Sequence, residues 1–249
     1  MPIQLQAFDA HERVREAAFA LLLTDHRPVS VSELGAAAGG DIDAILETLD
    51  ASGWIDRAED GRITGSAGLS LSHGPHRLTI GERSYRTWCA YDALGIPAAL
   101  GTSARVETTC GECGKSISLN IVDGLASREG PELLWLAAGT GDLRTTFCTP
   151  TVLVCGRDHG RAWAAKQEND GDLLTIREAS ERGSVSWASP AAAALRLRSD
   201  VEFVGGPRDA ERDRLLGTPE SIRRLGGVYV RSVRCADDGA LRYMWQEGS

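Results

Sequence analysis

Arg86-Thr87-Trp88-Cys89-Ala90-Tyr91-Asp92-Ala93-Leu94-Gly95-Ile96-Pro97-Ala98-Ala99-Leu100 reads as a short helix that runs into a turn at its Ile-Pro-Ala-Ala-Leu end. Cys89 and Asp92 stand three residues apart, so a thiol and a carboxylate share one helical face. Immediately upstream, Leu78-Thr79-Ile80-Gly81-Glu82-Arg83-Ser84-Tyr85 predicts a strand, a turn and a second strand leading into that helix. Downstream, residues 105–110 and 116–121 predict two more strands, joined through Cys110-Gly111-Glu112-Cys113-Gly114-Lys115. Residues 147–155 follow as an apolar strand flanked by thiols, Phe147-Cys148 at one end and Cys155 at the other. A helix is expected over His159 to Asn169, then the run Asp172–Ile176 and a helix from Ile176.

The flanks differ in texture. Toward the N-terminus, Val14, Ala17, Ala18, Leu21 and Leu22 give a helix ending near His26-Arg27-Pro28. Ser32 is read as the N-cap of a second helix and Asp41 as the start of a third. Trp54-Ile55 and Arg62-Ile63-Thr64, joined across Glu59-Asp60-Gly61, predict a hairpin, which completes a winged-helix-like unit over residues 1–70. That unit holds five Arg, no Lys and twelve Asp plus Glu, a balance of 5 − 12 = −7, the wrong sign for the major groove of a polyanion. Its expected role is to pack on the next domain and help cover a site. From Ser184 onward ten Arg face nine acids, and Gly226–Val233 and Leu241–Trp245 predict strands about an Asp237-Asp238-Gly239 turn. The fold class expected is α+β: residues 1–70, a mixed-sheet catalytic domain with flanking helices over 71–183, and a small α/β extension over 184–249.

A chain of 249 residues can bury a sizeable core. Its net charge of −8 does not suit nucleic acid or anionic lipid. No stretch approaches the roughly eighteen apolar residues of a membrane span, and Met1-Pro2-Ile3-Gln4-Leu5-Gln6 lacks the regions of a signal peptide, so a cytoplasmic location is expected. Six cysteines are too sparse for a secreted disulfide scaffold and read better as thiols or metal ligands. No phosphate-binding glycine loop or dinucleotide fingerprint is present, and no nucleotide cofactor is expected.

The segment around Cys89 resembles the nucleophile segment of the alkylmercury (organomercurial) lyases, an aromatic residue, Trp, Cys, Ala, an Asp two residues on and a Pro-Ala-Leu run. The resemblance extends in order from about residue 10 to 183. It includes Glu59-Asp60-Gly61-Arg62-Ile63-Thr64-Gly65, Gly68-Leu69-Ser70-Leu71 with Pro75-His76, Ala104-Arg105-Val106 with Cys110, Phe147-Cys148, and Ala162-Trp163-Ala164-Ala165-Lys166. It implies protonolysis of a carbon–mercury bond, with Cys89 and Cys148 as mercury ligands and Asp92 as the proton relay. Two thiolates are the strongest ligands for a soft cation, and a thiol at a helix N-terminus, where Cys89 is placed, should have a lowered pKa and ionise first. No required cofactor, an organomercurial substrate, a role in mercury resistance, and cellular thiols or a mercuric reductase as acceptors of Hg²⁺ are implied with it.

Cys110-Gly-Glu-Cys113-Gly also resembles a zinc knuckle, making Cys110 and Cys113 candidate ligands of a structural zinc. Two further ligands would come from Cys148, Cys155 and His159, and recruitment of Cys148 would remove the second thiolate from the lyase site. The alternative is a packed Cys110 with Cys113 incidental. Cys235 is expected to be a partly buried thiol, and His73, His76 and His159 surface or capping residues. Trp88, Trp163 and Trp187 are expected in the core or a pocket wall, Trp88 shaping the site. Three other functions remain open at this level: a lyase-fold relative acting on a non-mercurial substrate, a thiol-based metal-responsive regulator, and a zinc-stabilised interaction module. The acidic N-terminal unit argues against the regulator.

Overall fold

The computed structural model describes residues 2–139, 141–216, 221–236, 238 and 240–248. It begins with three helices, α1 (Pro2–Asp25), α2 (Val31–Ala38) and α3 (Asp43–Ala51). In α1, Val14, Ala18, Phe19, Leu22 and Leu23 are buried, at the spacing that lines one side of a helix. Helix α2 is capped by Ser30, not by the expected Ser32. Ser30 Oγ accepts from the Glu33 amide at 3.2 Å and Glu33 accepts from the Ser30 amide at 2.9 Å. Only Ser30 has a glutamate three positions on, so the reciprocal pair decides where the helix starts. Asp41 accepts from the Asp43 amide just ahead of α3.

Strands β1 (Ile55–Arg57), β2 (Ile63–Ser66), β3 (Leu69–Ser70), β4 (His76–Ile80) and β5 (Arg83–Thr87) lead to helix α4 (Ala90–Leu100). After α4 come β6 (Ala104–Thr109), β7 (Ser116–Val122) and β8 (Leu125–Ala126). All eight strands form one antiparallel sheet in the order β1-β2-β3-β5-β4-β6-β7-β8. Strand β7 alternates buried Ile117, Leu119 and Ile121 with exposed neighbours, the signature of a sheet with one face on the core. The expected hairpin is β1–β2, and its strands continue through β3 into β5, the strand that feeds α4. Tyr85 of β5 donates to the Leu23 carbonyl at 2.8 Å and Arg83 to that of Thr24, so β5 also meets the last carbonyls of α1.

Further on lie β9 (Leu133–Ala137), a π-helical turn (Leu143–Cys148), β10 (Val152–Val154), α5 (Arg157–Ala164), β11 (Gly171–Thr175), α6 (Ile176–Ser186) and α7 (Ala188–Arg196). The strand expected from Phe147 to Cys155 is therefore only three residues long. Asp142 accepts from the Thr145 amide and Thr149 donates back to the Arg144 carbonyl, which winds this segment into a turn that ends at Cys148. The helix expected over His159–Asn169 starts two residues earlier and stops at Ala164. Strands β10, β9 and β11 make a second antiparallel sheet.

Helix α4 is the centre of the main core, with nine of its eleven residues buried. A helix that is apolar all round must be covered on all sides. The Ile96–Leu100 end does not form the turn expected from sequence: the helix runs through Pro97 and ends at the left-handed Gly101 (φ 59°). Burial of Ile96, Pro97 and Leu100 holds that last turn against the hydrogen bond proline removes. Helix α6 crosses α4 backbone to backbone: a Cβ on Gly183 would lie 2.4 Å from Gly95 Cα, and one on Gly95 2.3 Å from the Trp187 ring. Both positions need glycine for this close approach.

Strands β12 (Arg198–Val204), β13 (Arg212–Leu216), β14 (Ser221–Arg224), β15 (Gly227–Cys235) and β16 (Leu241–Glu247) form a third sheet, ordered β13-β12-β16-β15-β14. Its β12–β16 pair is parallel, so mixed pairing occurs here and not in the sheets around α4, where it was expected. Asp237 and Gly239 of the expected turn lie outside the described residues. The fold is α+β. The third sheet has its own small core of Val201, Phe203, Ile222, Tyr229 and Tyr243. Trp187, Ala191 and Ala194, by contrast, belong to the main core, and the Ser189 hydroxyl of α7 donates to Glu16 of α1. The expected boundary at 183/184 falls inside α6, and we propose that the division lies at 197/198.

Candidate active site

Cys89 is the N-cap of α4, in an extended conformation (φ −137°, ψ 171°), and Asp92 occupies the third helical position. The Cys89 amide donates to Asp92 Oδ2 at 2.7 Å, and the Asp92 amide faces the Cys89 sulfur. The pair forms the reciprocal box that serine and glutamate make at other helix starts, with sulfur in place of hydroxyl. The spacing read as one helical face is therefore a capping geometry, and it holds thiol and carboxylate together at the point where β5 enters α4. The site is built from below as well. Gly68 lies in left-handed backbone (φ 87°), and a Cβ there would be 2.4 Å from Asp92 Oδ1.

Cys148 closes the π-helical turn, and its thiol is close enough to that of Cys89 to help raise it. The turn is tied to α4 through Thr151, whose amide donates to the Cys148 carbonyl at 3.2 Å and whose own carbonyl accepts from Ala90 at 3.3 Å. Thr151 Oγ1 also accepts from Ala137 of β9 at 3.1 Å. The three residues singled out from sequence, Cys89, Asp92 and Cys148, therefore come together. Beside them lies a cavity of about 540 Å³. Cys148 and Asp92 line it, while Cys89 is fully enclosed and does not.

The walls are aromatic. Trp88, Tyr91, Phe147 and Trp187 line the cavity, with Trp54 and Arg15 contributed by the first seventy residues. Tyr91 packs edge-on to Trp187 with ring centroids 5.1 Å apart, and Trp187 Nε1 donates to the Ala67 carbonyl at 2.7 Å. Trp163 lies elsewhere, donating to the Pro150 carbonyl.

Sequence reasoning passed over Asp56 and Arg144. Asp56 of β1 accepts from Trp88 Nε1 at 2.9 Å and from Arg144 at 2.7 Å. Arg144, from the turn that carries Cys148, also donates to the Gly53 carbonyl at 2.6 Å and stacks 3.3 Å above the Trp88 ring. One carboxylate thus links the N-terminal hairpin, the Cys89 segment and the Cys148 segment, three stretches whose proximity no local pattern reveals. Gly68 did leave a signal: a glycine beside a short strand marks a close backbone approach.

Burial governs the electrostatics. The Cys89 thiol is raised well above its ordinary value, first by burial, then by the Cys148 thiol and the Asp92 charge. The lowered pKa expected from a helix N-terminus is not found, because desolvation of a fully enclosed thiolate outweighs the amides that face it. Asp92 is pushed up to about 6 by burial, against the opposing pull of the Cys89 amide and thiol and of Arg144. Without a metal cation, the site thus holds a protonated Cys89 and a carboxyl able to exchange a proton near neutral pH. His76, expected near the surface, is buried against Thr108 at 2.6 Å, and burial lowers it to about 4.

A second group of soft ligands stands apart from these residues. Cys110, Cys113, Cys155 and His159 offer ligand atoms that all lie within 4.8 Å of one another. Of the candidates weighed with Cys110 and Cys113, Cys155 and His159 are in this group and Cys148 is not. Cys235 is exposed on β15.

The family model for alkylmercury lyase matches residues 69–188. The alkylmercury lyase of Streptomyces lividans is 32% identical over 166 residues, covering 65% of this chain and 76% of the relative. That of Bacillus cereus is 28% identical over 167 residues, covering 65% and 75%, and that of Pseudomonas putida 31% over 143 residues, covering 56% and 67%. Among solved structures, the mercury-bound form of MerB2 superposes with a TM-score of 0.63 at 17% identity, covering 74% of this chain and 98% of that one, a likeness of fold. The matched segment contains Cys89, Asp92 and Cys148 together with the β5–α4 junction that positions them, and the chain belongs to the alkylmercury lyase family of carbon–mercury lyases.

Proposed function

We propose that this chain cleaves the carbon–mercury bond of an organomercurial by protonolysis, with Cys89 and Cys148 as the mercury ligands and Asp92 as the proton carrier. The observation that carries the reading is the convergence of two thiols and one carboxyl of raised pKa beside an aromatic-walled cavity that Cys148 and Asp92 line. The aromatic walls suit the organic group and keep water from the reacting atoms.

Cys148 lines the cavity and meets R–Hg⁺ first; Cys89 is enclosed and follows. As each sulfur bonds to mercury its proton must leave, and the Asp92 carboxylate, hydrogen-bonded at the Cys89 N-cap, accepts one. A soft cation favours the thiolate, so binding itself overcomes the high pKa of the enclosed thiol. With two sulfurs donating, the C–Hg bond breaks, its electron pair stays on carbon, and Asp92 delivers the proton. The balance is R–Hg⁺ plus two thiols giving R–H, a neutral dithiolate of Hg²⁺ and one proton released. Mercury held between two thiolates leaves by exchange with another dithiol, a cellular thiol or a mercuric reductase being suitable acceptors. No helix among the described residues is long and apolar enough to cross a membrane.

The test is to incubate the protein with phenylmercury and excess thiol and to follow benzene by gas chromatography. Repeated turnover is expected. Stoichiometric binding of phenylmercury with no benzene would leave a mercurial-binding protein and no lyase.

A further inference from the structure

Cys110, Cys113, Cys155 and His159 take no part in the chemistry proposed for Cys89 and Cys148, yet three thiols and an imidazole are packed together. Their geometry is that of a metal site. Cys113 Sγ lies 3.8 Å from Cys155 Sγ, and Cys110 Sγ lies 3.5 Å from His159 Nδ1. Zinc–sulfur and zinc–nitrogen bonds of about 2.3 and 2.0–2.1 Å, at tetrahedral angles, separate two sulfurs by about 3.8 Å and a sulfur from a nitrogen by about 3.6 Å. The two measured edges match. A disulfide needs its sulfurs about 2.05 Å apart, and none of the three thiols is so bonded.

The backbone is shaped for the same purpose. Between β6 and β7 the Cys110–Cys113 turn closes on itself, with the Cys110 amide donating to Lys115 and the Gly114 amide to Cys110, both at 2.8 Å. Gly114 supplies the left-handed residue (φ 71°) that such a turn needs. The amides of Cys113, Cys155 and Glu112 face the Cys110 sulfur, an arrangement that suits a thiolate. The second pair comes from one short segment, Cys155 at the end of β10 and His159 in the first turn of α5, giving C-x2-C and C-x3-H spacings. Gly111 lies flat on this segment: its amide donates to Leu153 at 2.9 Å, and a Cβ would be 2.5 Å from Val152 Cγ2.

We infer that Cys110, Cys113, Cys155 and His159 bind one structural zinc ion that fastens the β6–β7 turn to the β10–α5 connection. Four protein ligands leave no open position for a substrate, which separates this centre from the mercury site. Three thiolates against one divalent cation carry a net charge of −1, and Cys113 and His159 are accessible enough for water to solvate it. Strand β10 starts at Val152, four residues after Cys148, and the carbonyl just ahead of it accepts from Ala90. Zinc therefore anchors the far end of the strand whose near end sets the position of the Cys148 thiol. The assignment stands on this cluster alone and does not depend on the lyase chemistry.

The test uses the full chain purified under reducing conditions without added zinc. Elemental analysis after exhaustive dialysis should find about one zinc per chain, and cells grown with cobalt in place of zinc should give protein with the visible bands of a tetrahedral cobalt thiolate. Chelator-treated protein then offers a readout that needs no variant. Added zinc chloride should slow alkylation of Cys110, Cys113 and Cys155 by iodoacetamide roughly tenfold or more. Exposed Cys235 should react at one rate with and without zinc. His159→Ala should lower zinc content, while Cys148→Ser and Cys235→Ser should keep it at the wild-type level. Zinc-independent alkylation of all three thiols overturns the assignment, as does freshly isolated protein that contains no zinc.

Discussion

Asp92 is the residue at which stability and chemistry pull in opposite directions. Its pKa of about 6, against 3.8 for an unperturbed carboxyl, means that the folded state holds the proton more tightly than the unfolded chain. Stability contributed by the protonated form is therefore lost as pH rises from about 4 to about 6, a deficit on the order of 3 kcal/mol that persists at neutral pH. His76, lowered to about 4 from 6.5, acts with the opposite sign, because stability is lost as pH falls from about 6.5 to about 4, again by an amount on the order of 3 kcal/mol. The two contributions nearly cancel over the same interval. Asp92→Asn should raise stability at pH 7 by about 1–3 kcal/mol and abolish hydrocarbon release, since the amide keeps the N-cap bond but cannot carry the proton. It should also expose the acid loss due to His76 as a steeper decline below pH 6. Urea denaturation at pH 7 and pH 5 measures both effects. An unchanged pH slope would mean that Asp92 is not the group with the raised pKa.

At the scale of elements, the β5–α4 junction and the π-helical turn must be kept in register, and Arg144 links them to β1. Arg144→Met retains bulk against Trp88 but removes the bonds to Asp56 and to the Gly53 carbonyl. The pair is partly exposed, so a loss of about 1–3 kcal/mol is expected, together with a clear fall in turnover as the Cys148 turn loosens. Thermal denaturation and benzene release on the same variant check the two parts. A stable variant with wild-type turnover would show that Asp56 and Trp88 hold the register alone. What the sequence makes legible here follows physical range. Strands β4 to β7 and the Cys89–Asp92 pair are written in local alternation and spacing. The turn ending at Cys148 is not, because its start depends on the Asp142 cap and its position on the Thr151 bonds to α4 and β9. The raised pKa of Cys89 was equally hidden: a helix N-terminus is visible in sequence, but complete burial is a property of the packed core.

For the whole molecule, composition and the order of motifs suffice for the α+β class and the family, while the C-terminal division depends on which side chains share a core. Trp187 and helix α7 cover α1 and wall the cavity, and the β12–β16 sheet carries a separate cluster. Truncation after Leu197 should therefore give a soluble, active chain, whereas truncation after Gly183 should remove Trp187 and leave an unstable one. Expression, circular dichroism and benzene release on the two chains distinguish these outcomes, and a folded, active chain ending at Gly183 would return the boundary to that position. The central claim is that Cys89 and Cys148 take mercury from carbon together. Its most direct test is benzene released in a single turnover from one equivalent of phenylmercury, without added thiol, by the wild-type chain and by Cys89→Ser and Cys148→Ser. The wild type should release about one benzene per chain, the limit of one two-thiolate site, and each serine variant should retain phenylmercury and release essentially none; benzene from either variant at the wild-type rate would contradict the shared two-thiolate site.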